Sequence, residues 1–411
     1  MNLPLISVSA LTIAVLISCF SRLNVGVLSI AFAWIVGVYM GGLPVTTVMS
    51  GFPSQLFLTL TGVTLVFAMA QQNGTLAQLT HHAVRVCRGN AGTIPIMFFV
   101  LGAALSSMGP GNIATAALLT PIAMATATRA KIPLFLMAIM VGNGANSGAL
   151  SPFAPTGIIV SGIMTKNQMP GLEVQAYLYN LGAHALMAFA GYFLFGGLKL
   201  FARDRTVEVV DPEGQKTFLT KQWITLGVIA VLILSVLVLK ANVGLAAFVA
   251  AVLLVATGTA DDAEAIKLMP WRVIMMVCGV TVLIALVERF QGLDLMVSTV
   301  ARMSNPGTVT FVVALITGIV SVYSSTSGVV LPAFLPLVPG LAAQLPGASA
   351  IGIAMSMNIG GHLVDVSPLS TIGALCIASA GTTDTRKFFN QLLAWGLSMA
   401  VLGAVLCYVL F

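Results

Sequence analysis

A polar stretch from Ser106 to Pro121 holds the residues with the clearest capacity for chemistry. It reads Ser-Ser-Met-Gly-Pro-Gly-Asn-Ile-Ala-Thr-Ala-Ala-Leu-Leu-Thr-Pro and lies between two apolar runs, Thr93 to Leu105 and Ile113 to Thr128. Because each run is shorter than the roughly 20 residues that a membrane-crossing helix needs, we predict a re-entrant hairpin at about 93–128. The alternatives are one long helix kinked at Gly-Pro and an ordinary loop. Non-helical backbone is tolerated at membrane depth only inside protein or beside a wet cavity, so the tip is a candidate binding site.

Two interrupted apolar segments bring further polar groups to this depth. The segment at about 133–164 is broken at residues 142–148, and the segment at about 351–380 is broken from Asn358 to Asp365. A helix that begins inside the membrane presents unpaired N–H groups, which attract an anion. A helix that ends there presents carbonyl groups, which suit a cation such as Na⁺. Asn143 and Asn146 in the first break therefore bind substrate or Na⁺, or else cap the two half-helices.

His362 and Asp365 are the ionisable pair of the second break. A charge at the centre of a bilayer costs at least about 2.5–3.5 kcal/mol on insertion scales, which makes such residues functional candidates. Asp365 could be a cation ligand, the pair could form a proton relay, or Asp365 could cap a helix near the cytoplasmic mouth. His184 lies within a predicted span and is expected to form a hydrogen bond between packed helices.

Composition places the chain in a membrane. Of its 411 residues, 58% are apolar and 7% are charged, whereas soluble domains carry about 25% charged residues. The N-terminus is apolar from Leu3 without a basic leader, which indicates a retained span rather than a signal peptide. The five cysteines are scattered without Cys-x-x-Cys and are expected to pack in the core rather than bind metal or form disulfides. The net charge of +6 needs no nucleic acid to explain it, because basic residues accumulate at membrane ends.

Short motifs recur in the same order at a nearly constant shift in numbering, which indicates an internal repeat. Asn24-Val25-Gly26 recurs as Asn242-Val243-Gly244, Gly62-Val63-Thr64 as Gly279-Val280-Thr281, Asn112 and Pro121 correspond to Ser327 and Pro336, and Ser151-Pro152 recurs as Ser367-Pro368. The four shifts agree closely, so chance is a poor explanation. We therefore predict a first repeat at 1–202, a cytoplasmic linker at 203–220 and a second repeat at 221–411. The second hairpin is then at about 307–344, with its tip at residues 324–328.

Each half contains five predicted spans and one hairpin. Since five is odd, the two halves must be inverted relative to each other, and both termini lie on the same side. With the termini outside, 14 of the 18 Lys and Arg residues lie inside, and only Lys166, Lys240, Arg289 and Arg302 lie outside. This is the direction that the positive-inside rule requires. The predicted fold is an all-α polytopic membrane protein with two inverted repeats, an architecture typical of secondary transporters with a site near the bilayer midplane.

The residues from Gly51 to Leu60, followed by Gly62-Val63-Thr64 and the run from Gln71 to Leu76, resemble the N-terminal part of a known family. This family is the MatC-type malonate and dicarboxylate carriers, within the divalent anion:sodium symporter group of the ion transporter superfamily. The pattern of hairpins and breaks extends the likeness over nearly the whole chain. The resemblance implies an elevator-type homodimer in the cell inner membrane that imports a small dicarboxylate, with Na⁺ as coupling ion and no covalent cofactor.

In the symporter group each hairpin tip carries Ser-Asn-Thr, which holds substrate carboxylates and Na⁺. Those positions are occupied here by Gly111-Asn112-Ile113 and Thr326-Ser327-Gly328, so only Asn112 is retained in type. The expected substrate-binding residues are Asn112, Thr115, Asn146, Thr326, Ser327 and His362. The expected Na⁺ ligands are Ser107, Gly109, Asn112, Asn146, Ser325, Gly360 and Asp365.

Other functional classes receive less support from the sequence. Motifs of intramembrane hydrolases (Gly-x-Ser-x-Gly, His-Glu-x-x-His and Gly-x-Gly-Asp) are absent, as is the Gly-x-x-x-x-Gly-Lys phosphate loop of ATP-driven pumps. An anion channel is the harder rival, because re-entrant hairpins also build selectivity filters. Coupling to H⁺ instead of Na⁺ is the alternative that His362 and Asp365 leave open.

Overall fold

A computed structural model describes residues 2–21, 23–86, 89–202, 206–207, 217–380 and 384–411. The helices of the first half are α1 (Leu3–Phe20), α2 (Val25–Trp34), α3 (Val45–Met49), α4 (Ser54–Gln72), α5 (Thr75–Val86), α6 (Thr93–Ser107), α7 (Gly111–Ala130), α8 (Leu134–Ser147), α9 (Pro155–Lys166), α10 (Glu173–Leu194) and α11 (Gly197–Phe201). A π-helical stretch, Ile35–Met40, extends α2.

The second half follows the same order of elements. Its helices are α12 (Thr220–Leu239), α13 (Val243–Ala256), α14 (Asp262–Leu268), α15 (Trp271–Arg289), α16 (Gly292–Arg302), α17 (Val309–Tyr323), α18 (Leu331–Phe334), α19 (Val338–Gln344), α20 (Ala350–Leu363), α21 (Thr371–Ser379) and α22 (Thr385–Leu410). A π-helical stretch, Thr326–Val330, precedes α18, and a 3₁₀ turn, Leu335–Leu337, follows it. Two short antiparallel strands, β1 (Gly89–Asn90) and β2 (Thr206–Val207), pair Gly89 with Val207.

The predicted all-α membrane fold is confirmed. Within the described residues, five helical stretches are long and apolar enough to cross a bilayer: Ser54–Gln72, Gly111–Ala130, Trp271–Arg289, Thr326–Gln344 and Thr385–Leu410. Shorter apolar helices accompany them, among them α6 and α17, which have 15 residues each. The protein is therefore a multi-pass membrane protein. The linker predicted at 203–220 lies largely outside the described residues.

One arm of the first predicted hairpin is longer than the sequence suggested. The apolar run ended at Thr128, but α7 begins at Gly111 and continues through Pro121 to Ala130, a length of 20 residues. The helix starts directly after the Gly109-Pro110 turn and continues through Pro121 without interruption. The prediction that each arm is too short to cross the membrane is therefore wrong for α7 and holds only for α6. The re-entrant path of this hairpin, and with it the domain boundaries, stays a prediction.

Two close helix crossings join the first half of the chain to the second. At the crossing of α2 with α15, a Cβ on Gly26 would lie 2.0 Å from the carbonyl oxygen of Met275, and one on Gly279 would lie 2.1 Å from that of Gly26. At the crossing of α4 with α13, a Cβ on Gly62 would lie 2.4 Å from the carbonyl oxygen of Gly244. These are the glycines of the repeated motifs, so each crossing pairs a first-half motif with a second-half motif.

Two further helix crossings, one in each half of the chain, occupy equivalent positions in the internal repeat. Gly144 of α8 packs on the backbone of Phe99 in α6, and Gly360 of α20 packs on the backbone of Ala314 in α17. Gly102 and Gly318 face these contacts from the other helix, and both pairs of glycines correspond at the shift that relates Ser151-Pro152 to Ser367-Pro368. The correspondence favours the predicted duplication. The inverted arrangement and the elevator motion remain predictions.

One apolar core joins the first predicted hairpin, the first arm of the second and the helices next to the two breaks. Phe98 of α6, Met140 of α8, Tyr192 of α10, Leu363 of α20 and Trp395 of α22 belong to the same buried cluster. Cys278, Cys376 and Cys407 are buried thiols, in agreement with the packing role expected of them.

The crossing of α2 with α15 provides a test of this packing. We expect Gly279→Ala to lower stability by about 1–3 kcal/mol, because the new methyl group collides with backbone rather than with a movable side chain. Gly227→Ala in α12 is the matched control, since nothing lies within 4 Å of a Cβ placed there. Thermal melting of the two purified variants checks the prediction, and equal melting temperatures would contradict it.

Candidate functional site

A polar cavity of about 270 Å³ lies where the second hairpin tip and the second helix break meet α7. We call it the polar cavity. It brings together six residues that the sequence predicted for the site: Asn112, Ser325, Thr326, Ser327, His362 and Asp365. Its other walls are Leu23, Val25, Ile113, Arg272, Val273, Met276, Tyr323, Ser324, Val329, Leu369, Ser370, Thr371 and Ile372.

Helix N-termini converge on the polar cavity. Many of the residues that line it come from the N-terminal ends of five helical segments: Leu23 and Val25 at α2, Asn112 and Ile113 at α7, Arg272 and Val273 at α15, Ser325 and Thr326 at the stretch that leads into α18, and Ser370, Thr371 and Ile372 at α21. Asn24, Ser325 and Ser370 each accept a hydrogen bond from one first-turn N–H group, and each N-terminus keeps a partial positive charge. The cavity is therefore suited to an anion before any fixed charge is counted.

The first hairpin tip is held at the first helix break. Gly109, in the turn between α6 and α7, has a φ of +137°, and a Cβ there would lie 2.0 Å from the ring of Phe67 in α4. The amide of Asn112 then donates to Oδ1 of Asn146 at 2.9 Å. This contact joins the first turn of α7 to the last turn of α8, and it places two predicted ligands side by side.

Protein groups already occupy the end of α8. Nδ2 of Asn180 in α10 donates to the carbonyl oxygens of Asn146 at 2.9 Å and Ser147 at 3.2 Å. One turn earlier, Nδ1 of His184 lies 2.9 Å from Oδ1 of Asn143. His184 therefore forms the interhelical hydrogen bond expected of it. Because Asn180 caps these carbonyls, they are less open to a cation than the sequence suggested.

The second break differs in its chemistry. Oδ1 of Asp365 accepts a hydrogen bond from Oγ1 of Thr326 at 2.7 Å, and the same hydroxyl lies 3.2 Å from the carbonyl oxygen of Gly361 and contacts the hydroxyl of Ser321. Four oxygen atoms thus gather where α20 ends and the second tip begins. His362 donates from Nδ1 to the carbonyl of Asn358 at 2.9 Å, which leaves Nε2 as the acceptor of the neutral ring.

Several predicted ligands lie outside the polar cavity. Thr115 and Asn146 are buried beside it without lining it, and Ser107 bonds the carbonyl of Ala103 and the hydroxyl of Tyr177. Gly360 packs against α17, at the crossing described above. Gly109 lines a different cavity.

That second, more apolar cavity also has a volume of about 270 Å³ and lies on the other side of the first tip. We call it the apolar cavity; Phe67, Leu76 and Pro155 are among its walls. Asn112, Ile113, Val273 and Ser327 line both cavities. The two predicted tip residues, Asn112 and Ser327, therefore form part of the wall between a polar and an apolar space.

Sequence reasoning missed Arg272 as a site residue. It was counted with the basic residues at the inner membrane ends, yet it lies in the first turn of α15 and lines the polar cavity. A signal was available: Pro53-Ser54-Gln55-Leu56 and Pro270-Trp271-Arg272-Val273 correspond at the shift that relates Gly62-Val63-Thr64 to Gly279-Val280-Thr281. Because only one of these two equivalent helix starts carries a charged residue, Arg272 could have been identified as a candidate from the sequence.

Two models of known protein families match parts of the chain. Residues 1–149 match the family model described as the N-terminus of the dicarboxylate carrier protein MatC, and residues 240–411 match the citrate transporter model. These matches confirm the resemblance to MatC-type carriers. The protein is a secondary transporter of carboxylates and not an enzyme.

The fold of this chain resembles a solved transporter structure. The YdaH transporter of Alcanivorax borkumensis, whose structure was described as having an unusual topology, aligns with a TM-score of 0.58 at 17% sequence identity. The alignment covers 89% of this chain and 87% of that one, so the likeness in fold spans nearly the whole molecule. No curated protein sequence matches the chain.

Alanine substitution at the two tips tests the site. We expect Asn112→Ala and Ser327→Ala each to reduce carboxylate transport by about tenfold or more, because each removes a hydrogen-bonding group from the polar cavity. Ser398→Ala, on an exposed face of α22, is the control. Uptake into proteoliposomes is the measurement, after size-exclusion chromatography has shown that the variants fold. If both tip variants transport with wild-type kinetics, Asn112 and Ser327 do not belong to the site.

Proposed function

We propose that this carrier imports a small dicarboxylate, with malonate as the leading candidate and C4-dicarboxylates next, in symport with Na⁺. The observation that carries the proposal is the convergence of helix N-termini on one polar cavity, which stabilises anionic groups without requiring a protein cation at every contact. A cavity of about 270 Å³ leaves room for a small dicarboxylate. The descriptions of the matched families, a dicarboxylate carrier and a citrate transporter, support this class of substrate.

The second break supports the assignment of the cation. Oxygen atoms of Asp365, Thr326, Ser321 and the Gly361 backbone lie together at the C-terminal end of α20, where a half-helix favours a cation. At the first break Asn180 caps the corresponding carbonyls, and the residue equivalent to Asn180 in the second half is Gly396, which has no side chain to do the same. We therefore assign the principal Na⁺ site to the second half, with Asp365 as its anionic ligand.

Proton coupling is the alternative mechanism for the same transporter. His362 and Asp365 both line the polar cavity, and both can exchange a proton with it. In that case the carboxylate of Asp365 would bind the coupling proton in place of Na⁺. An anion channel is less well supported, because channel conduction needs binding weak enough for rapid release, whereas this cavity collects many groups that stabilise an anion.

Uptake of labelled malonate into proteoliposomes tests the function and the coupling ion together. We expect saturable uptake that an inward Na⁺ gradient accelerates at constant pH and that a proton gradient alone does not drive. Absence of uptake of malonate, succinate and citrate under either gradient would contradict the proposal. A flux that does not saturate would indicate a channel.

Asp365→Asn is the variant that separates the two ions. It keeps the size of the side chain but removes the negative charge, so the Na⁺ concentration for half-maximal uptake should rise by about tenfold or more. Asp384→Asn, an equal change of charge at the start of α22, is the control. If Asp365→Asn leaves the Na⁺ dependence unchanged, Asp365 is not a Na⁺ ligand.

We further propose an inner-membrane location with both termini outside, and a homodimer in which the core shared by α6, α8, α10, α17, α20 and α22 moves as one body. Arg272, Arg129 and Lys131 belong to the predicted inner side, so the polar cavity would open toward the cytoplasm. This is the inward-facing arrangement of an elevator transporter.

Cysteine labelling tests the orientation. In a background that lacks the five native cysteines, Gln168→Cys, in the exposed loop after α9, should react with a membrane-impermeant maleimide on intact cells. Asp262→Cys, exposed at the start of α14, should react only after the membrane is permeabilised. The opposite pattern would reverse the topology, and with it the side to which the polar cavity opens.

A further inference from the structure

Among the described residues, two formally charged side chains line the polar cavity, and their surroundings differ. They are those of Asp365 and Arg272. Asp365 accepts a hydrogen bond from Thr326 at the end of α20 and belongs to the proposed cation site. Arg272 lies on α15, a helix that packs against α2 and against the Thr326–Val330 stretch of the second hairpin, and its side chain is exposed.

A dicarboxylate needs two anion subsites, and backbone dipoles favour negative charge without distinguishing one carboxylate from two. Asn112 and the tip backbone can hold one carboxylate. A guanidinium group binds a second carboxylate in a bidentate manner, because its planar fork of N–H donors matches the two carboxylate oxygens. Arg272 is the lining residue of the polar cavity that can do this.

The equivalent position in the first half supports a special role for Arg272. Gln55, its counterpart at the repeat shift, also lies in the first turn of a helix after proline, and it lines a separate cavity of about 540 Å³. Of these two equivalent helix starts, the first turn of α15 therefore carries a fixed positive charge and the first turn of α4 carries none.

We propose that Arg272 binds the second carboxylate of the substrate in the polar cavity and so makes the carrier selective for dianions over monoanions. This inference rests on the proposed function, and it adds a subsite that the hairpin tips do not supply. Because Arg272 belongs to α15 and Asn112 belongs to α7, the substrate bridges these two helices when both of its carboxylates are bound.

Comparison of malonate with malonamate tests the subsite, since malonamate has the same shape but one carboxylate replaced by a neutral amide. We expect wild-type protein to prefer malonate, and Arg272→Gln to weaken malonate binding by about 10- to 100-fold, the range expected when a charged hydrogen-bonding partner is lost. The affinity of this variant for malonamate should change by less than about threefold, so its preference for malonate over malonamate should be lost. Arg386→Gln, an equal loss of charge on the exposed start of α22, should keep the preference.

The outcomes separate the two proposals. If wild-type protein takes up no carboxylate, the proposed function fails. If wild-type protein transports malonate and Arg272→Gln keeps the malonate-to-malonamate ratio, or loses both substrates equally, the role of Arg272 is overturned while the function stands.

A second measurement on unmodified protein covers the case in which Arg272→Gln does not fold. Phenylglyoxal modifies arginine side chains, and peptide mapping reports the extent of modification at Arg272. Saturating malonate should protect this residue at least several-fold, whereas malonamate at the same occupancy should protect it little. Equal modification with and without malonate would refute the proposal.

Discussion

A helix that ends inside a membrane protein leaves backbone N–H or carbonyl groups that lipid cannot satisfy. The arrangement of this molecule depends on where these groups lie and on which partners they have. The N-terminal ends of α2, α7, α15 and α21 and of the segment before α18 meet at one polar cavity. The C-terminal ends of α8 and α20 are satisfied next to it by Asn180 and by Thr326. Anion-stabilising and cation-stabilising ends therefore lie beside each other, which suits the joint binding of a carboxylate and a cation.

Close backbone contact makes this convergence possible. The crossings at Gly26 with Gly279 and at Gly62 with Gly244 bring α2 and α4 against the helices of the other half without intervening side chains. The starts of α2 and α15 then lie at one wall of the polar cavity. The opposite wall comes from α7, α20 and α21, which contribute to a separate apolar core, whereas the second hairpin tip packs against α15. A site between two differently supported walls can change its access when one wall moves, and this is the physical basis for the elevator motion that we propose.

The two halves of the chain share a framework but have diverged in their polar groups. Asn146 at the first break corresponds to His362 at the second, Asn180 to Gly396, and Gln55 to Arg272. In the first half the amides bond one another and close the end of α8. In the second half the carboxylate of Asp365 and the hydroxyl of Thr326 take this place, next to an open cavity. In the proposed site, the second half therefore supplies the charged side chains, Asp365 and Arg272, whereas the first half supplies the amide of Asn112.

The sequence by itself determined the membrane class, the helical fold, the residues at the tips and the presence of two interruptions. It placed the interruptions too early, at 142–148 and 358–365, whereas the helices stop at Ser147 and Leu363 and resume at Pro155 and Thr371. The features that it determined depend on apolar content, on runs of small and polar residues, and on motif spacing, all of which are local properties of the chain. Asn112, Thr326, Ser327, His362 and Asp365 were found in this way because polar residues at membrane depth are rare. The same reasoning underestimated the length of α7, because a proline within a helix can be absorbed when neighbouring helices support it.

Only the tertiary structure decided which of the candidates face a common space. Thr115, Ser107 and Gly360 have suitable chemistry, but helix rotation directs them toward packed neighbours, and rotation about a helix axis is set by contacts that are distant in sequence. The sequence did not identify Arg272 because its position at a membrane end already had another explanation. At a membrane end, a basic residue satisfies the topology whether it faces the cytoplasm or a cavity. The packing of α15 against α2 and against the second hairpin places Arg272 beside the hairpin tips.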